Sequence, residues 1–312
     1  MNNAGSNILI TGGLGFIGTN LVYKLLSDKK FNITVLDNYS NTSKTLDSST
    51  SIEIIRGDIT DQETVFNAIK GKDVIVHLAA HTRVIDSIQD PWKNFSTNVI
   101  GTLNILEAMR TYRVRRIINA STGGAILGEV KPPVHEEIAP KPMSPYGASK
   151  LATEGYCCAY AHAYGISYVN LRFSNIYGKY SRNKQSVLAA FIKNISDSGQ
   201  VVVYGDGSQT RDYLYVDDLV DGITRAINST LSGTYQLGSG IATSINELIT
   251  ILRKTIPLDF ECKYETFRAG EIKHTHCNIS KARTDFGFNP LTRLTDGILL
   301  TWDWYKLSQY PG

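Results

Sequence analysis

The stretch that decides the fold is "NILITGGLGFIG", residues 7–18, in which an apolar run leads directly into a glycine-rich turn. Gly13, Gly15 and Gly18 fit the pattern Gly-x-Gly-x-x-Gly, and with Gly12 in first place the residues fit Gly-x-x-Gly-x-x-Gly. One glycine permits a tight turn, another lets the backbone approach a diphosphate, and the last permits close packing of helix on strand. A helix that begins here offers free N–H groups to phosphates. The stretch therefore predicts a dinucleotide-binding turn.

Outward from this turn, the first half of the chain alternates short apolar runs with helical patterns. Strands are predicted at residues 7–13, 32–38, 52–58, 73–80 and 115–121, with a sixth at 166–175. These strands are rich in Ile and Val without polar alternation, which indicates a parallel sheet covered by helices on both faces. Because crossovers between parallel strands are right-handed, the predicted fold class is α/β, a Rossmann-type doubly wound parallel sheet.

Beyond the sixth strand the pattern changes to short strands mixed with helices. Strands are predicted at 201–205, 234–239 and 260–266, and helices at 187–197, 217–228, 244–255 and 294–307. We interpret this half as a smaller C-terminal α/β substrate-binding part that packs tightly on the first. The expected dinucleotide-binding domain is 1–175 with returning segments at about 201–230. Residues 176–200 and 231–312 then form the substrate-binding part.

The composition is that of a globular protein, with 42% hydrophobic and 20% charged residues among 312. A net charge of +3 is too small to indicate nucleic acid or a membrane surface as a partner. No apolar run is long enough for a membrane span. The four cysteines form no Cys-x-x-Cys pair, and the N-terminus lacks the pattern of a signal peptide. A cytoplasmic, reducing location is therefore expected.

Two aspartates at predicted strand ends extend the dinucleotide signal. Asp37 ends the second strand, where a carboxylate accepts both ribose hydroxyls of an adenosine and repels a 2′-phosphate. NAD is therefore favoured over NADP. Asp58 ends the third strand and is a candidate partner for the adenine amino group. Read without the glycines, both aspartates would be ordinary turn residues.

The strongest chemical signal is "SPYGASK", residues 144–150, which contains Tyr146 and Lys150. Residues at i and i+4 share one face of a helix. A free phenol has a pKa near 10, and an ammonium together with the positive ring of oxidised nicotinamide would favour the phenolate. The pair therefore predicts a tyrosine that acts as a general base.

These features together resemble a known family. They comprise the glycine turn, Asp37, "HLAA" at 77–80, Asn98 in "NVIGT", Tyr146 with Lys150, "RFSNIYG" at 172–178, "GDGSQTRDYLYVDDL" at 205–219 and "RAGE" at 268–271. The chain resembles the extended short-chain dehydrogenase/reductases, specifically the NAD-dependent nucleotide-sugar epimerase/dehydratase family. Within that family it is closest in type to UDP-glucose (UDP-hexose) 4-epimerases.

The resemblance implies the residues of both binding sites. Those for NAD are Gly12, Gly15, Phe16, Ile17, Gly18, Asp37, Asn38, Asp58, Ile59, Leu78, Ala79, Ala80, Asn98, Tyr146 and Lys150. Those for the nucleotide sugar are Thr122, Gly123, Tyr146, Asn175, Val187, Arg211, Tyr213, Arg268 and Glu271. It also implies a homodimer formed through the helices near 92–111 and 146–164, and a role in polysaccharide biosynthesis.

The loop "STGGAILGE", residues 121–129, separates the reactions of the family. Members that dehydrate a sugar resemble one another in carrying an Asp-Glu pair there, and decarboxylating members carry a glutamate. Here the corresponding positions are Gly124 and Ala125, whose side chains transfer no proton. The expected reaction is therefore oxidation and re-reduction at one carbon, which is epimerisation at C4. A nucleotide-sugar dehydratase, decarboxylase or reductase is the alternative.

The hydroxyl partner of Tyr146 is ambiguous in this loop. Counted back from "ILG" it falls on Gly123, and counted forward from "ST" it falls on Thr122. Thr122 is the predicted third catalytic residue, and Ser121 is the second choice. Leu127 lies where the family more often has tyrosine.

The segment "HTHC", residues 274–277, is the one sequence feature that suggests a metal site. It lacks further ligands nearby in sequence, and the expected chemistry needs no metal. No metal is therefore predicted.

Overall fold

The computed structural model describes residues 5–42, 46, 52–267 and 272–309. The strands in these residues are β1 Ser6–Thr11, β2 Phe31–Asp37, β3 Glu53–Arg56, β4 Val74–His77, β5 Arg116–Thr122, β6 Ser167–Phe173, β7 Asn175–Tyr177, β8 Gln200–Tyr204, β9 Thr210–Arg211, β10 Tyr213–Tyr215, β11 Gly233–Leu237, β12 Thr243–Ser244 and β13 Glu261–Glu265. The helices are α1 Phe16–Asp28, α2 Gln62–Ile69, α3 Val84–Gln89, α4 Pro91–Phe95, α5 Gly101–Tyr112, α6 Gly123–Leu127, α7 Pro145–Tyr164, α8 Val187–Ser198, α9 Val216–Asn228, α10 Ile245–Thr255, α11 Ser280–Phe286 and α12 Leu294–Gln309.

A seven-stranded parallel sheet organises the molecule, in the order β11-β6-β5-β4-β1-β2-β3. Ile8 and Ile10 of β1 belong to the core on the α1 and α9 face, while Leu9 belongs to the core on the α2, α5 and α7 face. Both sides of the strand are therefore buried, which explains why the sequence shows an unbroken apolar run. The predicted Rossmann-type α/β fold is confirmed.

The second half of the chain departs from the expected division in two places. β11, which the sequence assigned to the substrate-binding part, pairs in register with β6 and completes the central sheet. β8, assigned to the dinucleotide-binding domain, pairs instead with β13 in a separate two-stranded sheet. The sequence of a short apolar strand does not determine which strand it pairs with. The pairing depends on the sheet edge at which the preceding helix ends. The helix after β10 does pack on the central sheet, since α9 contacts α1 and β5.

The helix predicted from Pro91 to Thr111 is interrupted. A π-helical turn at Ser96–Ile100 joins α4 to α5. The extra residue in this turn accompanies the inward placement of Asn98, whose side chain is buried. Single π-helical turns of this kind frequently occur at functional sites.

A buried ion pair fastens α7 to the sheet. Arg172 of β6 donates to Glu154 of α7 at 2.7 Å, and both side chains are less than a tenth exposed. The Ser121 hydroxyl donates to the same carboxylate at 2.6 Å. Because Tyr146, Lys150 and Glu154 follow one another at intervals of four along α7, this pair fixes the face that carries Tyr146 and Lys150.

Replacing Arg172 with alanine leaves the Glu154 carboxylate buried without its guanidinium. We expect the free energy of unfolding of Arg172→Ala to fall by about 3 to 5 kcal/mol, measured by urea denaturation. Arg293→Ala is the control, because it breaks a surface pair whose arginine is 80% exposed and should leave the midpoint unchanged. Equal midpoints for Arg172→Ala and the wild type would mean that the buried pair does not stabilise the fold.

Candidate active site

The glycine turn lies at the carboxyl end of β1 and is shaped by two close backbone approaches. Gly12 has a φ of +69°, and a Cβ atom there would lie 2.7 Å from the backbone nitrogen of Ala79. A Cβ atom on Gly18 would collide with the carbonyl oxygen of Gly12. A larger residue at position 12 would push the turn away from the loop after β4, and one at position 18 would push α1 away from the turn. The turn therefore needs glycine for the reason that the sequence pattern predicts.

The helix that follows the turn presents its N-terminus to the crevice. Gly15 is the N-cap of α1, and Phe16 and Ile17 form its first turn. Within the described chain no side chain caps this end, and its first turn contains no acidic residue. The free N–H groups and the partial positive charge of the helix fit a dinucleotide diphosphate.

Asp37 lies at the end of β2 beside this turn and is buried. Its carboxylate accepts from the Leu14 nitrogen at 2.9 Å and from the Tyr39 nitrogen at 2.8 Å. A carboxylate offers about four lone-pair sites, so acceptor capacity remains for ribose hydroxyls. The structure thus places Asp37 beside the glycine turn, and its contact with adenosine stays a prediction.

The end of β3 contributes Asp58 and the buried Ile59. Asp58 accepts from the Asn38 side chain at 2.7 Å and from the Thr60 nitrogen at 2.9 Å. Burial acts to raise the pKa of Asp58, but the hydrogen bonds from Thr60 and Asn38 prevail and lower it. Asn38 and Asp58 therefore form one preorganised pair next to Asp37.

The segment Leu78–Ala80 follows β4 and forms the opposite wall of the crevice. Asn98 holds this wall from behind, since its Oδ1 accepts from the His81 nitrogen at 2.7 Å. Its Nδ2 donates to the His81 carbonyl at 3.1 Å and to the Ser149 hydroxyl at 2.9 Å. Asn98 thus ties the wall to α7, and a direct contact between Asn98 and the cofactor stays a prediction.

Tyr146 lies in the first turn of α7. Ser144 caps the helix by accepting from the Gly147 nitrogen at 3.1 Å. A Cβ atom on Gly147 would collide with the carbonyl oxygen of Ala125, so this glycine lets α7 approach α6 closely. Two serines that sequence reasoning missed fix the Tyr146 backbone: Ser87 accepts from its nitrogen at 3.1 Å, and Ser149 donates to its carbonyl at 2.8 Å.

The structure separates the three candidates for the hydroxyl partner. Thr122 ends β5 and forms a side-chain hydrogen bond with Tyr146. Ser121 is buried and donates to Glu154, which lies two helical turns beyond Tyr146 on α7. A Cβ atom on Gly123 would lie 2.7 Å from Oε1 of Gln236, so the Gln236 side chain occupies the space next to Gly123.

Burial dominates the pKa values of Tyr146 and Lys150 in the protein without a cofactor. Burial raises the pKa of the Tyr146 phenol to about 12, although the hydrogen bond with Thr122 opposes the shift. Burial also lowers the pKa of Lys150 to about 8, while the Glu154 carboxylate acts in the opposite direction. The Lys150 ammonium donates to the Ala120 carbonyl at 2.9 Å. In the protein without a cofactor, burial therefore favours the neutral phenol. The expectation that Lys150 and the nicotinamide ring together favour the phenolate stays a prediction.

The loop after β5 presents little that transfers protons. A Cβ atom on Gly124 would meet nothing closer than Ile272, at 3.8 Å. The thiol of Cys277 lies behind Gly123, and burial raises the pKa of this thiol well above its ordinary value. Asp212 is buried and accepts from the backbone nitrogens of Ser239 and Cys277 at 2.7 and 3.0 Å.

Three of the predicted substrate residues, Asn175, Arg211 and Tyr213, lie on strands of the small two-stranded sheets. Asn175 of β7 and Tyr213 of β10 are register partners on adjacent strands. The Tyr213 hydroxyl is buried and has no hydrogen-bond partner within the described chain. Arg211 ends β9 and donates to the Lys273 carbonyl at 3.1 Å, and Val187 begins α8. Arg268 and Glu271 lie outside the described residues.

Two other features bear on partners and ions. The described side chains include no group of three or more His, Cys, Asp or Glu residues arranged to hold a metal ion. Among the same residues, no helix combines the length and apolar character that crossing a membrane requires.

Comparison with known proteins finds resemblances over nearly the full length of the chain. The profile of the "NAD dependent epimerase/dehydratase family" matches residues 8–238. The UDP-glucose 4-epimerase of Mycolicibacterium smegmatis is 32% identical over 306 residues, which cover 96% of this chain and 98% of that protein.

Solved structures give the same picture. The UDP-glucose 4-epimerase of Thermotoga maritima, crystallised with UDP-glucose, superposes with a TM-score of 0.93 at 34% identity, covering 97% of this chain and 100% of the other. DesIV of Streptomyces venezuelae, a dTDP-glucose 4,6-dehydratase with NAD bound, gives 0.89 at 28% identity, covering 98% and 99%. Enzymes that catalyse two different reactions therefore share this architecture.

Proposed function

The chain belongs to the NAD-dependent epimerase/dehydratase family and uses NAD, and we propose that it epimerises C4 of a UDP-linked hexose. The observation that carries the proposal is the combination of two features at one sheet edge. Thr122, Tyr146 and Lys150 converge there, and the adjoining loop offers Gly123, Gly124 and Ala125 in place of a second acid–base couple.

The chemistry follows from these side chains. When bound, oxidised NAD supplies the hydride acceptor for C4 and returns the hydride to the other face of the 4-keto sugar. Tyr146 takes the proton of the C4 hydroxyl as the carbonyl forms, and gives it back in the second half of the reaction. Thr122 orients the sugar oxygen toward Tyr146. Lys150 holds a positive charge on the same helix face and favours the phenolate over the phenol.

Because the pKa of Tyr146 is raised in the free protein, binding of the oxidised cofactor must lower it before Tyr146 can act as a base. Each pKa unit corresponds to about 1.4 kcal/mol of differential stabilisation between phenol and phenolate. Positive charge brought into this desolvated pocket stabilises the phenolate strongly, because burial reduces screening. The tyrosine is therefore protonated in the free protein and becomes a base only in the complete complex.

The alternatives within the family need groups that this loop lacks. Loss of water after oxidation at C4 requires an acid and a base near the neighbouring carbons, and a glycine–glycine–alanine run provides neither. Asp212 is engaged by backbone N–H groups, and the Glu136 carboxylate accepts from the Gln236 nitrogen at 2.8 Å. These contacts favour epimerisation over dehydration, decarboxylation or net reduction.

The nucleotide part of the substrate is proposed to lie against Asn175, Arg211 and Tyr213. A guanidinium suits a diphosphate, since its planar donors bind two oxygens at once. The unpartnered Tyr213 hydroxyl is a donor that a ligand would satisfy. Arg268 and Glu271 complete the proposed set from the sequence alone. The UDP-glucose bound by the Thermotoga relative supports UDP as the nucleotide.

A product assay distinguishes the reactions. We expect incubation with a panel of UDP-hexoses, N-acetylhexosamines and uronic acids to give a product of unchanged mass with inversion at C4, read by NMR. Tyr146→Phe should retain NAD but lose turnover. A product lighter by one water molecule, or consumption of added NADH, would replace the proposal with dehydration or reduction. Full activity of Tyr146→Phe would exclude the mechanism.

The role of Thr122 has its own test. Thr122→Val keeps the shape of the side chain and removes the hydroxyl, so kcat should fall about tenfold to a thousandfold. Thr122→Ser restores the hydroxyl and should recover most of the rate. Unchanged kcat in Thr122→Val would transfer the role to the backbone at Gly123 or to water.

We propose a homodimer through the helices near 92–111 and 146–164, together with α3, which packs on α7. Ile85 and Ile88 of α3 are 54% and 62% exposed, and Trp92 of α4 is 76% exposed. α3 and α4 both contact α7. Together with Phe95, whose ring contacts Trp92 edge to face, these side chains form an apolar patch. Such patches on soluble domains mark association surfaces.

Trp92→Glu places a charge at the centre of this patch and should convert the dimer to a monomer, measured by light scattering after gel filtration. Leu291→Glu is the control, because Leu291 is 78% exposed and lies outside the patch. A dimer that persists in Trp92→Glu, or a monomeric wild type, would refute this interface.

A cytoplasmic location and a role in polysaccharide biosynthesis are also proposed. Cys157, Cys158, Cys262 and Cys277 are free thiols, which suits a reducing cytoplasm. Polysaccharide biosynthesis follows from the family resemblance.

A further inference from the structure

The segment that joins β7 to α8 crosses the cofactor crevice. We name residues 179–186 the strap. At one end the Lys179 carbonyl accepts from the Asn20 side chain of α1 at 3.0 Å. In the middle, Asn183 donates to the Thr42 carbonyl, in the loop after β2, at 3.1 Å.

At its other end the strap reaches the loop after β4. The Gln185 side chain accepts from Arg83 at 2.5 Å. The strap is thereby attached to all three segments that follow β1, β2 and β4. These are the segments that carry the predicted contacts to the dinucleotide, so the strap lies across the crevice from one wall to the other.

Lys184 is the strap residue directed at the glycine turn. Its ammonium lies 5.1 Å from the centroid of the Phe16 ring, and Phe16 is the first residue of α1. Lys184 is half-buried and has no carboxylate partner within the described chain. Burial alone lowers the pKa of Lys184 to about 8. A desolvated ammonium without a counter-ion is costly unless an anion joins it.

The other cations of the strap are accounted for. Lys179 pairs with Asp217 at 3.3 Å, and the Arg182 guanidinium lies 5.1 Å from the ring centroid of Tyr305. Lys184 therefore differs from its neighbours in facing the helix N-terminus without a protein anion. A dinucleotide diphosphate carries two negative charges, and a helix N-terminus opposes them with only about half a positive charge. The remainder is left for a cation to neutralise.

We propose that Lys184 binds the diphosphate of NAD, and that the strap holds the cofactor in the crevice through this contact. The glycine turn supplies N–H donors from below, and the strap supplies the cation from above. Release of NAD then requires the strap to detach from its three anchors. The proposal concerns retention of the cofactor and is independent of which sugar is epimerised.

Binding of NADH to cofactor-stripped protein, followed by its fluorescence, tests the proposal. Lys184→Met keeps the length of the side chain and removes the charge, and NADH should bind about tenfold to a hundredfold more weakly. Lys184→Arg keeps the charge and should stay within about threefold of the wild type. Lys179→Met is the matched control, because it removes a cation from the same strap that already has a carboxylate partner.

Salt separates an electrostatic contact from a structural one. NADH binding by the wild type should weaken as NaCl is raised, and that dependence should be shallower in Lys184→Met. Thermal melts of the stripped proteins should coincide. Unchanged affinity in Lys184→Met, equal losses in Lys179→Met, or an unaltered salt dependence would overturn the proposal. None of these readouts depends on turnover, so they stand apart from the test of the 4-epimerase reaction.

Discussion

The reversal of strand order between β1 and β4 is the constraint on which the site depends. Chain connections leave β1 toward β2 and β4 toward β5, so the loops at their carboxyl ends diverge and leave a crevice. The two loops nevertheless meet at one point, where Gly12 lies against the backbone of Ala79. The positions of the predicted cofactor-binding residues on both loops depend on this contact. A side chain there would widen the crevice and displace the helix N-terminus from its ligand.

The position of α7, which carries Tyr146 and Lys150, depends on a second arrangement, the buried ion pair between this helix and the sheet. Glu154 is shared by Arg172 and Ser121, and it also acts to raise the pKa of Lys150. A buried ion pair contributes little net stability compared with apolar packing. What it does contribute is position, because α7 cannot rotate or slide without breaking charge-assisted hydrogen bonds. The orientation of Tyr146 toward Thr122 follows from that restriction.

The sequence predicted the fold well, because local patterns encode it. These patterns are the apolar runs without polar alternation and the glycines at the first turn. It predicted Tyr146, Lys150 and Thr122 as neighbours, since an i, i+4 spacing and a strand end fix their positions locally. It missed the partner of β11, the π-helical turn at Ser96–Ile100 and the raised pKa of Tyr146. The strap was also invisible, since Asn183 contacts Thr42 across 141 positions of chain. Each miss depends on distant neighbours, which no local pattern records.

The two glycines after Thr122 differ in the space that each would leave for a side chain. At Gly123 a Cβ atom would lie 2.7 Å from Oε1 of Gln236, which approaches from β11, so a larger residue there requires Gln236 to shift. At Gly124 there is open space, and a side chain would fit without displacing backbone. The fold therefore tolerates an acid or base at the second position and does not carry one. Among the described residues the loop provides no second acid–base pair to expel water, and this supports the proposed epimerisation.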